Sequence, residues 1–485
     1  MAISLLHPTD KSADAESVSV KMLRNLSIDR SFAGICTDLG SREYFLSVIS
    51  APSDDVNEIL YRQEILKDLE RFPDLLERLI SLTKRFDELR ASQKNSGKLD
   101  YRIRAEGSSS SDSAKNILQT KALCLKRSLM FVKSYADLLK DTDLKSRGLQ
   151  TLYNTCRDIS ENAEFAQLSA FCKKYEYFST SGAINFGFSA DESGVIVKIG
   201  LVDGKYIRVT DPEIKKGFSL FKKAPETVYP CVRLDPITDD SYDKLASRAI
   251  SSLSDLFGEI YSQIFEMFGL LGEELSFYKT AVRYINLLRE KGTALCYPTF
   301  DDQGASVKNL YDLYLLVTKP SATDVVPNDF LLTRDGGGLV VFGSNGSGKT
   351  VYLRSVGCML ILAQAGLPVP CESASLTPFS CFAAQFSEAE KEFCAGNEAG
   401  RFEQEVRELA EMVDGLKEGT LVFLNETFQS TAYAEGADGL YDLLEYFTDR
   451  NIRWILVTHL TALEDRFDKD KITVLRTTAG FKVSV

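Results

Sequence analysis

Histidine is almost missing from this chain: 485 residues contain two, His7 and His459. A histidine-rich metal centre is therefore excluded, and His459 draws attention because so few alternatives exist. The ten cysteines are scattered singly, with no C-x-x-C pair. That pattern argues against a disulfide framework and fits a reduced, cytoplasmic chain with small buried thiols. No apolar run reaches the ~18 residues needed to span a bilayer, so no membrane partner is expected. The opening Met1-Ala-Ile-Ser-Leu-Leu-His-Pro-Thr-Asp10 is too short and uncharged to read as a signal peptide. Positive charge is scarce as well, with 57 Lys and Arg against 69 Asp and Glu and a net charge of −12. Proteins that hold nucleic acid tightly are mostly basic or carry a basic stripe. The balance argues against strong, non-specific DNA affinity over the whole surface and leaves a local basic patch open.

What remains is an ordinary globular composition, 44% hydrophobic and 26% charged, in a chain long enough for about two to four domains. Residues 18–92 carry helical spacing, clearest in Val56–Leu69 and Leu75–Leu82, with Ser53-Asp-Asp55 as an N-cap. Charge and the run Gly107-Ser-Ser-Ser-Ser-Asp-Ser113 predict a loop or insertion point over 93–114. Helical periodicity returns from about 115 to 177. The stretches Ile184–Phe188 and Gly194–Val202 are strand-like, and Asp203-Gly204 predicts a hairpin turn into Lys205–Val209. Between 205 and 223 six basic residues (Lys205, Arg208, Lys215, Lys216, Lys222, Lys223) interleave with Tyr206, Phe218 and Phe221. A solvated hairpin face with its aromatics in a core is the plainer reading; a surface touching phosphate or a partner is the other. From Ser241 to Lys291 the chain lacks proline and keeps apolar spacing, predicting one or two long helices: a mechanical arm or a bundle member.

Chemistry concentrates near the C-terminus. The apolar run Gly338–Phe342 feeds Gly343-Ser-Asn-Gly-Ser-Gly-Lys-Thr350, which is G-x-x-x-x-G-K-T, and a helical stretch follows. A strand, a glycine loop and a helix start form the arrangement that cradles nucleotide phosphates. Gly343, Ser344, Asn345, Gly346, Ser347 and Gly348 would turn backbone N–H groups inward, which glycine permits without a Cβ clash. Lys349 would reach the β- and γ-phosphates, and the Thr350 hydroxyl would ligate Mg²⁺. A second apolar strand ends in Asn425-Glu426, where nucleotide hydrolases place a carboxylate pair. Glu426 suits a general base with a hold on the metal shell. Asn425 still accepts a hydrogen bond from a metal-bound water but lacks charge, so slow turnover is expected. A third strand, Arg453–Thr458, ends at His459, placed as a γ-phosphate sensor.

These blocks, in this order, resemble the MutS family of DNA mismatch-repair ATPases. The matching stretches are Val326-Pro-Asn-Asp329, Gly343–Thr350, Tyr352-Leu-Arg354, Leu362–Pro370, Leu424-Asn-Glu426, Ser430-Thr-Ala432 and Val457-Thr-His459. Thr37–Arg42 and Arg62-Gln-Glu64 look like the opening of the family's helical core. ABC transporters and their relatives are the neighbouring alternative, but their L-S-G-G-Q signature is absent. The resemblance implies an α + α/β fold. A helical core and lever domain over 1–300, with a β-rich insertion at about 181–235, would precede a P-loop NTPase α/β domain over 301–485. It adds Val326 to the nucleotide-binding residues and implies ATP and Mg²⁺ as cofactors, DNA as a ligand, and a homodimer through the ATPase domain. The expected function is an ATP-gated DNA clamp in repair or recombination; the alternative is a slow or non-cycling scaffold for a protein partner.

Departures from the family pattern shape these expectations. The length leaves no room for mismatch-reading and connector domains, and no Phe-x-Glu wedge stands near the N-terminus, so mismatch reading is not expected. Gly346-Ser347 stands where the family has Met-Gly, and Asn425 where it has Asp. The trans-acting segment is reduced to Gly400-Arg-Phe-Glu-Gln-Glu405, where Arg401 is either a finger toward a partner's nucleotide or an exposed helix residue. A short tail after the last strand leaves the dimer contact incomplete.

Overall fold

The structure is a computed structural model that describes residues 2–8, 18–105, 111–176, 186–190, 196–201, 239–334, 336–386, 398–428 and 433–484. The predicted turn at 203–204, the basic stretch 205–223, the block 430–432 and the side chain of Arg401 lie outside the described residues.

In chain order, helices α1 (Val20–Asn25), α2 (Ile28–Phe32), α3 (Leu39–Ser50), α4 (Val56–Arg71), α5 (Pro73–Ala105), α6 (Ser111–Leu139), α7 (Arg147–Glu161) and α8 (Ala163–Glu176) come first. Strands β1 (Phe186–Ala190) and β2 (Ile196–Leu201) and helices α9 (Asp239–Met267) and α10 (Leu271–Glu290) follow. Then come β3 (Thr299–Phe300), β4 (Gly304–Leu310), α11 (Leu313–Thr318), β5 (Asn328–Thr333), β6 (Gly338–Phe342) and α12 (Lys349–Gln364). The chain closes with β7 (Ser373–Leu376), β8 (Cys381–Phe386), α13 (Glu398–Asp414), β9 (Thr420–Asn425), α14 (Tyr433–Asp449), β10 (Arg453–Thr458), β11 (Ile472–Thr477) and β12 (Val483–Ser484).

Two compact units divide this order discontinuously. One comprises residues 1–3, 77–144 and 149–272; the other comprises 4–76, 145–148 and 273–485. The first 300 residues therefore contribute to both units.

In the first unit, α6 and α9 bury an aromatic cluster. Phe86 stacks on Phe131 at 3.9 Å, and Phe268 meets Phe131 edge-on at 5.3 Å. The two strand-like stretches form β1 and β2, which pair antiparallel. The expected loop at 93–114 begins later than its composition suggests, because α5 runs on to Ala105. No proline interrupts 93–105, and the run Asn95-Ser-Gly97 costs a helix only ~0.5–1 kcal/mol per residue, so the helix propagates. The 241–291 stretch forms two helices, parted at Phe268-Gly-Leu270.

The second unit carries a six-stranded sheet in the order β12-β11-β6-β10-β9-β8, in which all neighbours are parallel except β12. Strands β6, β9 and β10 are almost wholly buried. Their unbroken apolar sequences suit parallel strands covered on both faces. Trp454 and Leu456 of β10 pack with Val340, Val422, Leu440, Leu444 and Phe447. Gly338 has to be glycine, since a Cβ there would lie 2.3 Å from the Trp454 ring. Helix α12 buries most of its length, and a second sheet, β3-β7-β4-β5, completes the α/β part. Helix α4 starts where Asp55 accepts a hydrogen bond from the Asn57 N–H, the N-cap expected from Ser53-Asp-Asp55. The α4 side chains reach across the unit: Asp68 accepts from the backbone N–H groups of Lys145 and Ser146 at 2.8 and 2.7 Å. Among the described residues, no helix is long and apolar enough to cross a membrane.

Candidate functional site at the carboxyl ends of the central strands

Strand order places the site. β10 lies between β6 and β9, and its Val457 is level with Val341 of β6 and with Asn425 of β9. Three parallel strands thus end side by side, and the loops leaving them meet. This is the position at which open α/β sheets present their chemistry.

The first loop is Gly343–Gly348. Gly346 and Gly348 have φ of +76° and +96°, a left-handed conformation that glycine adopts without strain. A Cβ on Gly343 would lie 2.0 Å from Thr477 Oγ1 and 2.7 Å from Ser347 Oγ. Thr477 ends β11 and donates to Ser347 Oγ at 2.8 Å, tying the loop to the neighbouring strand. Ser344, Asn345 and Gly346 are exposed, and a Cβ at Gly346 would meet nothing within 4 Å. Helix α12 then starts without a side-chain cap, so its first N–H groups remain available to an anion.

Lys349, 4% exposed, folds back over the loop. Its Nζ donates to the carbonyls of Gly343 at 2.8 Å and Ser344 at 2.9 Å, and stands 3.1 Å from Glu426 Oε1. The other carboxylate oxygen, Oε2, lies 2.7 Å from His459 Nδ1. An ionised carboxylate only accepts, so the hydrogen between them is assigned to His459 Nδ1. Glu426 therefore sits between a lysine and an imidazole. Its backbone has φ of +53°, uncommon for a residue with a side chain, and its N–H donates to the Val457 carbonyl at 2.9 Å. Beside it, the Thr350 hydroxyl donates to Asn425 Oδ1 at 2.9 Å.

The structure brings together Gly343, Ser347, Lys349, Thr350, Asn425, Glu426 and His459. Val326 stands apart from this hydrogen-bonded cluster, partly exposed, before β5. Its neighbours nevertheless reach toward the loop. Asn328 Nδ2 donates to the Phe481 carbonyl at 3.2 Å, Asn328 Oδ1 accepts from the Val483 N–H at 2.9 Å, and Lys482 bonds the Pro327 carbonyl. The Phe481 ring lies against Gly348. Asp329 is held below the usual carboxylate range by the Lys308 ammonium. Sequence reasoning missed Thr477 and Gln385, and it named Glu405 only within the segment 400–405, not as a partner of the Glu426 turn. Gln385, the penultimate residue of β8, donates to Glu405 Oε1 at 3.3 Å; its Oε1 accepts from the Thr427 hydroxyl at 2.5 Å. The available signal was position, since Thr477 and Gln385 also stand at the ends of strands in the parallel series.

A glycine loop, a lysine, a carboxylate and an imidazole thus meet at the central strand ends of a parallel sheet. A family model described as MutS domain V matches residues 339–479, and one described as MutS2 N-terminal domain matches 54–291. The chain belongs to the MutS family. It is 30% identical over 149 residues to the DNA mismatch repair protein MSH3 of Scheffersomyces stipitis, covering 30% of this chain and 14% of that one. It is 23% identical over 332 residues to the endonuclease MutS2 of Lactococcus lactis subsp. cremoris, covering 62% and 42%. It is 26% identical over 288 residues to the DNA mismatch repair protein MutS of Salinibacter ruber, covering 56% and 31%. The matched stretches thus span less than half the length of each of these relatives.

Proposed function

We propose that this chain binds ATP at the Gly343–Thr350 loop and hydrolyses it slowly, using ATP state to gate a DNA-binding clamp. The observation that carries the reading is the convergence of Lys349, Glu426 and His459 on three adjacent strand ends, within 3.1 Å of one another in sequence of contact. The loop fits a triphosphate, because Gly346 and Gly348 turn it with positive φ and the uncapped start of α12 favours negative charge. The donor set also fits Mg²⁺, which takes oxygen ligands, keeps several waters and relies on substrate phosphates for the rest. Thr350 Oγ1 and Asn425 Oδ1 are oxygen donors already held 2.9 Å apart, with Glu426 adjacent. When bound, Mg²⁺ supplies positive charge to the β- and γ-phosphate oxygens.

The chain's own groups divide the remaining work. Lys349 exchanges the Gly343 and Ser344 carbonyls and Glu426 for phosphate oxygens. Released from that ammonium, the Glu426 carboxylate orients the attacking water and accepts its proton. His459, oriented through Nδ1 by Glu426, presents its other ring nitrogen to the terminal phosphate or to the water. The Thr477–Ser347 bond keeps the loop closed on the sheet.

Isothermal titration with ATP and Mg²⁺ checks binding: the native chain is expected to bind and Lys349→Ala to lose most of its affinity. Equal binding by both would remove the loop from the site.

A second reading, an ATP-dependent scaffold that barely cycles and holds a protein partner, is favoured by Asn425. This amide shares the Thr350 hydroxyl where a carboxylate would add charge to the metal shell. Asn425→Asp separates the two. A rise in steady-state phosphate release of roughly tenfold or more would mark a natural site built to hold nucleotide. No change would leave the clamp reading ahead. DNA binding and homodimerisation through the ATPase domain belong to the same proposal; the relatives' names speak of mismatch repair for those proteins alone.

A further inference from the structure

The turn that carries Glu426 is strained and braced. Glu426 and Phe428 both have positive φ, +53° and +62°, in a region that residues with side chains rarely adopt. Such a conformation persists only when its surroundings over-determine it. Here the bracing is complete on both sides of Thr427. The fully buried Thr427 donates its hydroxyl to Gln385 Oε1 at 2.5 Å. Gln385 Nε2 donates to Glu405 Oε1 at 3.3 Å, and the same carboxylate oxygen accepts the Phe428 N–H at 2.9 Å. A closed circuit therefore runs from Thr427 through Gln385 of β8 and Glu405 of α13 back to Phe428.

We infer that Glu405 is a positioning residue for Glu426: its carboxylate fixes the turn whose backbone aims the Glu426 side chain at Lys349 and His459. The inference rests on the reading of Glu426 as the water-orienting carboxylate. A bond to an ionised acceptor is stronger than one between neutral groups, which suits an anchor that must hold two left-handed residues. The Glu405 bonds to Gln385 and Phe428 lie outside the phosphate loop, so its effect is expected in the chemical step and not in nucleotide affinity.

The test is steady-state ATP turnover by the full chain, with thermal unfolding as a check on folding. Glu405→Ala is expected to lower kcat by roughly ten- to hundredfold while KM for ATP stays within about twofold, since a small misplacement of a catalytic group costs rate. Glu405→Gln, which keeps an amide oxygen for the Phe428 N–H, is expected to recover most of the loss. If Glu405→Ala does not fold, Gln385→Ala opens the same circuit and is expected to lower kcat at constant KM. An unchanged kcat in a folded Glu405→Ala, or a loss expressed wholly in KM, overturns the inference. If Glu426→Gln abolishes turnover while a folded Glu405→Ala keeps the native kcat, only the inference fails. If Glu426→Gln turns over like the native chain, the reading of Glu426 fails and the inference falls with it.

Discussion

At Gly343 one added methyl group meets two side chains. Its Cβ would stand 2.0 Å from Thr477 Oγ1 and 2.7 Å from Ser347 Oγ, so Gly343→Ala must push the loop away from β11. The variant is expected to fold and to bind ATP at least tenfold more weakly by titration, a factor of ten being about 1.4 kcal/mol. Affinity equal to the native chain would mean that the Thr477 contact does not shape the loop. The residue-level contrast with Asn425 is informative. The strand, glycine loop and helix around 343–350 were legible in the sequence because local backbone chemistry dictates them, and β6, the loop and α12 follow in that order. Whether Asn425 lowers activity depends on what surrounds it, and the structure adds one fact: its carbonyl oxygen is already matched to the Thr350 hydroxyl.

Among the elements, β6, β9 and β10 were readable as strands from their apolar runs and polar ends, and the two helices over 239–290 from their spacing. The order in which the strands sit was not. Nothing local says that β10 enters between β6 and β9, yet that insertion unites Lys349, Glu426 and His459. The contact between Gln385 and Glu405 was not readable for the same reason, since the two lie 20 residues apart in sequence and meet only through tertiary packing. The end of α5 was misplaced because composition marks weak helix formers, whereas cooperativity carries a helix across them. The sheet depends heavily on Trp454, which is fully buried on β10 between Gly338 and Phe467. Trp454→Ala is expected to cost about 3–5 kcal/mol in urea unfolding, the range for deleting a large core aromatic. A loss below about 1 kcal/mol would show that the neighbours collapse into the space.

For the whole molecule, the two compact units interleave along the chain, so the ATPase-type sheet shares its unit with the segment 4–76. The family likeness extends over both, with MutS2 N-terminal and MutS domain V matches in succession. A net charge of −12 sets the terms for any DNA clamp: the contact must be local and salt-sensitive. If ATP pairs two copies through this sheet, the mass in solution should double with ATP and Mg²⁺ and stay monomeric for Lys349→Ala. A mass indifferent to nucleotide would separate hydrolysis from assembly. The measurement that reaches the central claim most directly is phosphate release from ATP and Mg²⁺ by the native chain beside Glu426→Gln, with nucleotide binding measured on both. The expected result is slow but definite release by the native chain, a fall of about a hundredfold or more in Glu426→Gln, and retained binding in both. Equal release by the two would contradict the assignment of the Asn425-Glu426 strand end as the hydrolytic centre.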